Sequence, residues 1–337
     1  MSTTSPDSQP RKRARTASRD EDQCCDPRED EEFWLHDGTV VLLAGQTKFR
    51  VYLGVLTEHS SVFVEMMSLP QPVDFQGVQY SCPVIRLHDN PDDLRRVFRL
   101  LMPRKTSNLG CDSAPTFETV SAYIRIAHKY QMDALLSQWL EYLKKHFTHR
   151  FDDWISNKNR VPDGFEPIHA VGVVNLARLT GCNSILPTAL AVCTTLGRNI
   201  ITGFTRADGT REQLSMADLA RCFYARGLLI QANATALTLT LSAESTFDAC
   251  TNDSGVCSEK VRSFLQEGIS MYEVTFLAPE GLVPAWKTYE ATLARDYGVC
   301  CCCLETMQKG YYEAQRVAWW RLPEYTGVEV TPTDWGR

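Results

Sequence analysis

The chain has 337 residues, a formal net charge of −6 and an apolar content of 44%, the composition of a globular protein with room for two domains. A mildly acidic chain without a broad basic face is not expected to bind nucleic acid directly. The most apolar stretch, 171–204, is broken by Arg178, Pro187 and Arg198, so it reads as buried helices and no membrane association is expected.

Residues 1–31 hold little that could be buried, and their Ser, Pro, Arg and acid content predicts a disordered, charged tail. Within it, Arg11, Lys12, Arg13 and Arg15 form a basic block behind Pro10, and 20–32 is acidic. The basic block has the form of a nuclear import signal; the alternative reading is a solvated patch that nothing recognises. Nuclear and cytoplasmic locations both remain open. Ser18, three residues beyond Arg15, has a spacing that suits kinases reading upstream arginines. The first ten residues lack an apolar signal-peptide core, so a reducing compartment is expected. There the thirteen cysteines serve as free thiols or metal ligands rather than disulfides.

A β-rich run, Thr39–Ala44, a turn at Gly45-Gln46-Thr47 and an alternating run, Lys48–Tyr52, predict a β-hairpin. A short helix follows over Gly54–His59. Ser60 or Ser61 caps the next helix, which carries Phe63 with Met66 or Met67. Pro70, Pro72 and Gly77 mark a loop, and Pro83–Leu87 is a third strand. Asp89-Asn90-Pro91-Asp92-Asp93 combines a cap, a first-turn proline and two acids at the positive end of the helix dipole. Leu94, Val97, Phe98 and Leu101 then share one helix face. Thr116 caps a helix with Phe117, Val120, Ile124 and Ala127 on one side. A further helix carries Leu135, Leu136, Trp139, Leu140 and Leu143.

This order, with Asp37-Gly-Thr-Val-Val-Leu-Leu, Phe49-Arg-Val, Val55-Leu56, Ser60-Ser-Val-Phe63 and Ile124-Arg-Ile-Ala-His-Lys-Tyr130, resembles the BTB/POZ domain. A narrower resemblance, through Phe33-Trp34, Met67–Pro72, Cys82-Pro83-Val84, Leu176–Leu179 and Cys303–Pro323, is to the BTB proteins expanded in mushroom-forming fungi. It implies an α+β fold with a BTB/POZ-like domain over 32–147 and a mostly α-helical C-terminal domain over 148–337. It also implies a non-enzymatic adaptor or scaffold that binds proteins and forms a homo-oligomer through the BTB domain. A cullin of a ubiquitin ligase is one implied partner, to be sought around Ser60–Met67 and Ser68–Pro72. The buried aspartate–arginine pair of BTB transcription factors is replaced here by Thr39 and Leu53, which puts their corepressor pocket in doubt. Alternatives are a nuclear transcription regulator acting through protein contacts and a zinc- or thiol-dependent enzyme.

In the C-terminal half, Gly181 suits a helix end, Pro187 a first turn, and Ser215-Met-Ala-Asp218 a capping box. Further helices are expected over Lys287–Arg295 and Leu304–Arg321. One constellation carries chemistry: Cys250-x6-Cys257 with Cys300-x2-Cys303. Two such pairs close a tetrahedral structural zinc site. The x6 spacing is looser than in common zinc ribbons, and Cys301 and Cys302 leave the choice of ligands open. The same thiols also serve as small buried hydrophobes. His146-x2-His149, beside Lys145 and Arg150, reads as a solvated basic face, and His128 as structural. No catalytic residue is assigned; GxGxxG, P-loop, GxSxG and HExxH motifs are all absent from the sequence.

Overall fold

The computed structural model describes residues 26–68, 82–103, 114–157, 159–242, 247–248, 250–252, 255–270, 286–331 and 335. The basic block Arg11–Arg15, Ser18, and the loop marked by Pro70, Pro72 and Gly77 lie outside the described residues.

Four strands form the principal sheet: β1 (Arg28–Trp34), β2 (Val40–Ala44), β3 (Thr47–Val51) and β4 (Val84–Leu87), in the order β1-β3-β2-β4. The expected hairpin is β2–β3, antiparallel from Val40↔Val51 to Ala44↔Thr47. β1 and β4 flank it, each parallel to its neighbour. Between β3 and β4 lie α1 (Leu53–His59) and α2 (Ser61–Ser68). Then follow α3 (Pro91–Leu101), α4 (Phe117–Lys129) and α5 (Asp133–His146). The caps are local and of the expected kind. Asn90 accepts from the Asp92 N–H at 2.7 Å, and Thr116 from the Thr119 N–H at 3.4 Å. Ser60 Oγ accepts from the Phe63 N–H at 3.2 Å. Thr39 Oγ1 accepts from the Leu53 N–H at 2.9 Å. Thr39 and Leu53 thus meet each other at the start of α1.

One expectation is corrected. Ordered chain begins inside the segment expected to be disordered, because β1 starts at Arg28. Of its acidic residues, Glu29 and Glu31 are exposed, but Asp30 and Glu32 are drawn into ion pairs. Asp30 is 5% exposed and accepts from the Phe33 N–H at 2.7 Å and from Arg95 Nη2 at 2.7 Å. Glu32 receives Arg99 Nη2 at 2.6 Å. The basic face of α3 supplies counter-charges that lie more than sixty residues away in sequence. Composition is blind to them.

The rest is helical: α6 (Phe151–Ser156), α7 (Ala170–Thr180), α8 (Leu186–Cys193) and α9 (Asn199–Thr202), then the two-residue strands β5 (Phe204–Thr205) and β6 (Arg211–Glu212). α10 (Met216–Ser242), α11 (Val256–Ser270), α12 (Trp286–Arg295), α13 (Cys301–Trp320) and α14 (Leu322–Thr326) complete it. The apolar 171–204 stretch lies largely buried, as α7 and α8. Gly181 ends α7 in the left-handed conformation, with φ +69°. Ser215 Oγ accepts from the Asp218 N–H at 3.1 Å, and the Asp218 carboxylate pairs with Arg178 and Arg221.

Three apolar cores result. The first joins the sheet to α1–α5, around Phe49, Phe63 and Phe98. The second joins α4–α8, α10, α13 and α14, around Phe117, Trp154 and Trp319. The third lies between the C-terminal half of α10, α11, α12 and the N-terminal half of α13. α4 serves two of them. Tyr123, Ile126 and Ala127 face the first core, and Phe117, Val120 and Ile124 the second. The expected boundary at 147/148 therefore coincides with the end of α5 but not with a gap in packing, since Leu143 and Phe147 belong to the second core.

Polar contacts lock the same junction. Arg206, on the β5–β6 hairpin, has a side chain only 7% exposed. It reaches Asp93 at 3.1 Å and Glu118 at 3.1 Å, with Asp208 at 3.6 Å. Arg125 of α4 meets Glu212 of β6 at 2.5 Å. Gly203 introduces the hairpin with φ +61°, and a Cβ there would sit 1.9 Å from the Glu212 carbonyl oxygen. Gly203→Ala is expected to displace β6 and cost at least about 1–3 kcal/mol, read as a lowered urea midpoint with an unchanged m-value.

Candidate metal centre

The four cysteines singled out in the sequence come together in the structure. The Sγ atoms of Cys250, Cys257, Cys300 and Cys303 all lie within 4.8 Å of one another. Cys250 and Cys300 are half-buried and 3.9 Å apart; Cys257 and Cys303 are each 0% exposed. A tetrahedral thiolate site with metal–sulfur bonds of about 2.3 Å places its sulfurs about 3.8 Å from one another. The cluster is thus at, or slightly wider than, the size of such a site.

Local structure explains the convergence. Cys257 lies in the first turn of α11, after Gly255 at φ +87°. Cys300 is the N-cap of α13, and Cys303 lies in that helix's first turn. Two helix N-termini, with their unsatisfied N–H groups and positive dipole ends, point at one place. That is where thiolate charge is most favourable. Cys257 Sγ accepts from Asn252 Nδ2 at 3.2 Å and from the Cys300 N–H at 3.4 Å. Burial by itself raises the Cys300 thiol. Hydrogen bonds from the Thr251 side chain and backbone, and from Cys303, outweigh it and bring the pKa down to about 5. Cys303 and Cys257 are raised, chiefly by burial. Four adjacent thiols cannot all ionise without a cation among them, so the lowest one goes first. A cation would draw the other three down as well.

Cys301 and Cys302, whose role was open, lie outside the cluster; Cys301 is exposed and Cys302 partly so. The buried-hydrophobe reading of cysteine does hold elsewhere. Cys193 and Cys222 are sealed in the second core, where burial pushes the Cys193 thiol well up. His146 is not on a solvated face. It is half-buried against Tyr142, ring centroids 5.2 Å apart, and burial lowers its pKa. Sequence reasoning missed Asn252 and Thr251 as donors to the cluster. The place of Asn252 between Cys250 and Cys257 was the available signal. A groove of about 410 Å³ between α10 and α13, lined by Leu228, Leu239, Val317 and Tyr325 among others, contains one charged side chain, Arg321, already paired with Glu324.

No helix among the described residues is long and apolar enough to cross a membrane. No protein-family model matches the chain, and no curated protein matches it.

Proposed function

We propose that the chain is a non-catalytic adaptor, in which a BTB-like module over 32–147 engages one protein and a zinc-stapled helical unit over 148–337 positions another. The observation that carries the reading is the element order of the first core. A hairpin, two short helices, a parallel strand, an Asn90-capped helix and a helical pair follow one another as the BTB/POZ resemblance implies. The shared α4 and the Arg206 network support it as well. They join the two units through shared packing and buried ion pairs, and an adaptor must fix the distance between its partners. The four-cysteine cluster fits structural zinc, because Zn²⁺ accepts four thiolates in tetrahedral geometry and leaves no open position for catalysis. The family resemblance further supports homo-oligomerisation through the BTB-like module, with a cullin as one partner.

The structure also refines where contact with a cullin is to be tested. Phe63 is 2% exposed and stacks on Tyr130 at 4.7 Å, so its replacement reports on folding. Val64, next to it on α2, is 50% exposed. Val64→Arg is expected to abolish co-purification of the full chain with a cullin while the thermal midpoint stays within about 2 °C of the parent. Undiminished cullin recovery with this variant would remove α2 from the interface. Absence of any cullin from the parent's purified complexes would remove that partner. The nuclear-regulator reading stays second, on the basic run alone; unchanged localisation after deletion of 11–15 would set it aside.

A further inference from the structure

The four thiols are not equivalent. Cys257 and Cys303 are fully buried and belong to the third core, with Val261, Leu293 and Met307. Cys250 and Cys300 are half-buried, at the rim of that core, with Sγ atoms 3.9 Å apart. An oxidant arriving from solvent meets the rim pair first, and that pair needs the sulfurs to close only by about 2 Å to reach disulfide length.

We propose that this centre is a peroxide-responsive switch, in which oxidation links Cys250 to Cys300 and expels the zinc. The inference rests on the zinc reading above. The chemistry closes without a further reactant. A rim thiolate attacks one oxygen of hydrogen peroxide, the O–O bond breaks, and a sulfenic acid and hydroxide result. The second rim thiolate attacks the sulfenic sulfur and displaces a second hydroxide. The two sulfurs have given up two electrons and formed one S–S bond. Protons from solvent convert the two hydroxides to water. With two ligands lost, Zn²⁺ leaves, and Cys257 and Cys303 take up one proton each as buried thiols.

The structural consequence falls on α13. The centre ties the first turn of this helix to α11 and to the 250–252 segment. The same helix continues into the second core through Trp319. Loss of the metal therefore loosens the third core first and leaves the BTB-like module to its own packing. Such a response switches the helical arm of an adaptor without unfolding the other.

The test uses the full chain, purified with its zinc under reducing conditions and then freed of reductant. Hydrogen peroxide is added while a chromogenic chelator records free zinc, and the cysteine linkages are mapped by proteolysis and mass spectrometry. The expected result is release of about one equivalent of zinc per chain, with Cys250–Cys300 as the dominant new disulfide, reversed by a dithiol reductant and added zinc. Cys301→Ser with Cys302→Ser, which removes the two neighbouring thiols outside the cluster, is expected to leave release unchanged. Zinc retained by a zinc-containing chain overturns the switch alone. Release that needs Cys301 or Cys302, or that yields a different dominant disulfide, also overturns it. A chain that holds no zinc when purified overturns the zinc reading, and the switch with it.

Discussion

Trp319→Ala is expected to destabilise the helical half by about 3–5 kcal/mol, toward the upper end of that range. The indole is 0% exposed. It stacks on Trp335 at 4.9 Å and meets Trp154 at 5.7 Å and Phe151 at 5.8 Å. Its Nε1 donates to the His149 carbonyl at 3.1 Å, which fastens α13 to the turn between α5 and α6. Removing the ring empties a site that three aromatic walls cannot close over, and strands a carbonyl at its edge. Trp319→Phe separates the two losses. It keeps a ring and gives up the bond, and is expected to cost less than the alanine variant. Far-UV circular dichroism in urea is the measurement, since tryptophan fluorescence changes with the substitution itself. Equal midpoints for the alanine variant and the parent would mean that the second core does not depend on this residue.

Arg206→Ala is expected to cost about 3–5 kcal/mol, because it leaves the buried Asp93 carboxylate with only Arg96, 3.4 Å away, as a counter-charge. Asp93 is 8% exposed at the side chain and receives Arg206 Nη2 on both oxygens at 3.1 Å. Burial already holds the Asp93 carboxyl above the usual carboxylate range, even with Arg206 opposing it. A carboxyl raised on folding binds its proton more tightly in the folded chain. Its contribution to stability is therefore full below the unfolded pKa and is lost as pH rises through the folded one. Without Arg206 the folded value moves higher still. The stability gap between Arg206→Ala and the parent is thus expected to narrow as pH falls from neutrality toward the ordinary carboxylate range. Urea midpoints at several pH values measure it, and a gap that is constant or widens on acidification would contradict the account. Adding Asp93→Asn to the variant is expected to recover part of the loss at neutral pH.

These two residues mark where the sequence stops being readable. Signals confined to a few neighbouring positions were legible. The β2–β3 hairpin, the caps at Asn90 and Thr116, Gly181 at the end of α7 and Ser215 at the start of α10 all stand where local chemistry puts them. The four-cysteine cluster was legible for a related reason: the two cysteine pairs carry their spacing with them, although nothing local says that 250–257 and 300–303 meet. Features made by distant partners were not legible. β1 looks like a soluble acidic tail until Arg95 and Arg99 of α3 are placed against it. α4 looks one-sided, since Phe117, Val120, Ile124 and Ala127 satisfy a helical stripe. Tyr123 and Ile126 then read as incidental, whereas they seal the first core. Arg206 in a polar turn gives no hint that it is buried.

The two-faced α4 has a consequence for how the chain is made. Among the described residues up to 147, its Phe117, Val120 and Ile124 face is covered by α5 alone; α7 and Phe204 complete it. At ordinary rates of synthesis, the gap between Phe117 and Phe204 corresponds to on the order of ten seconds. Throughout that interval a nascent chain with its sheet already formed displays an apolar helix flank to solvent. The N-terminal module is in this sense half-finished until Phe204 has been made, and the flank of α4 is its unclosed side.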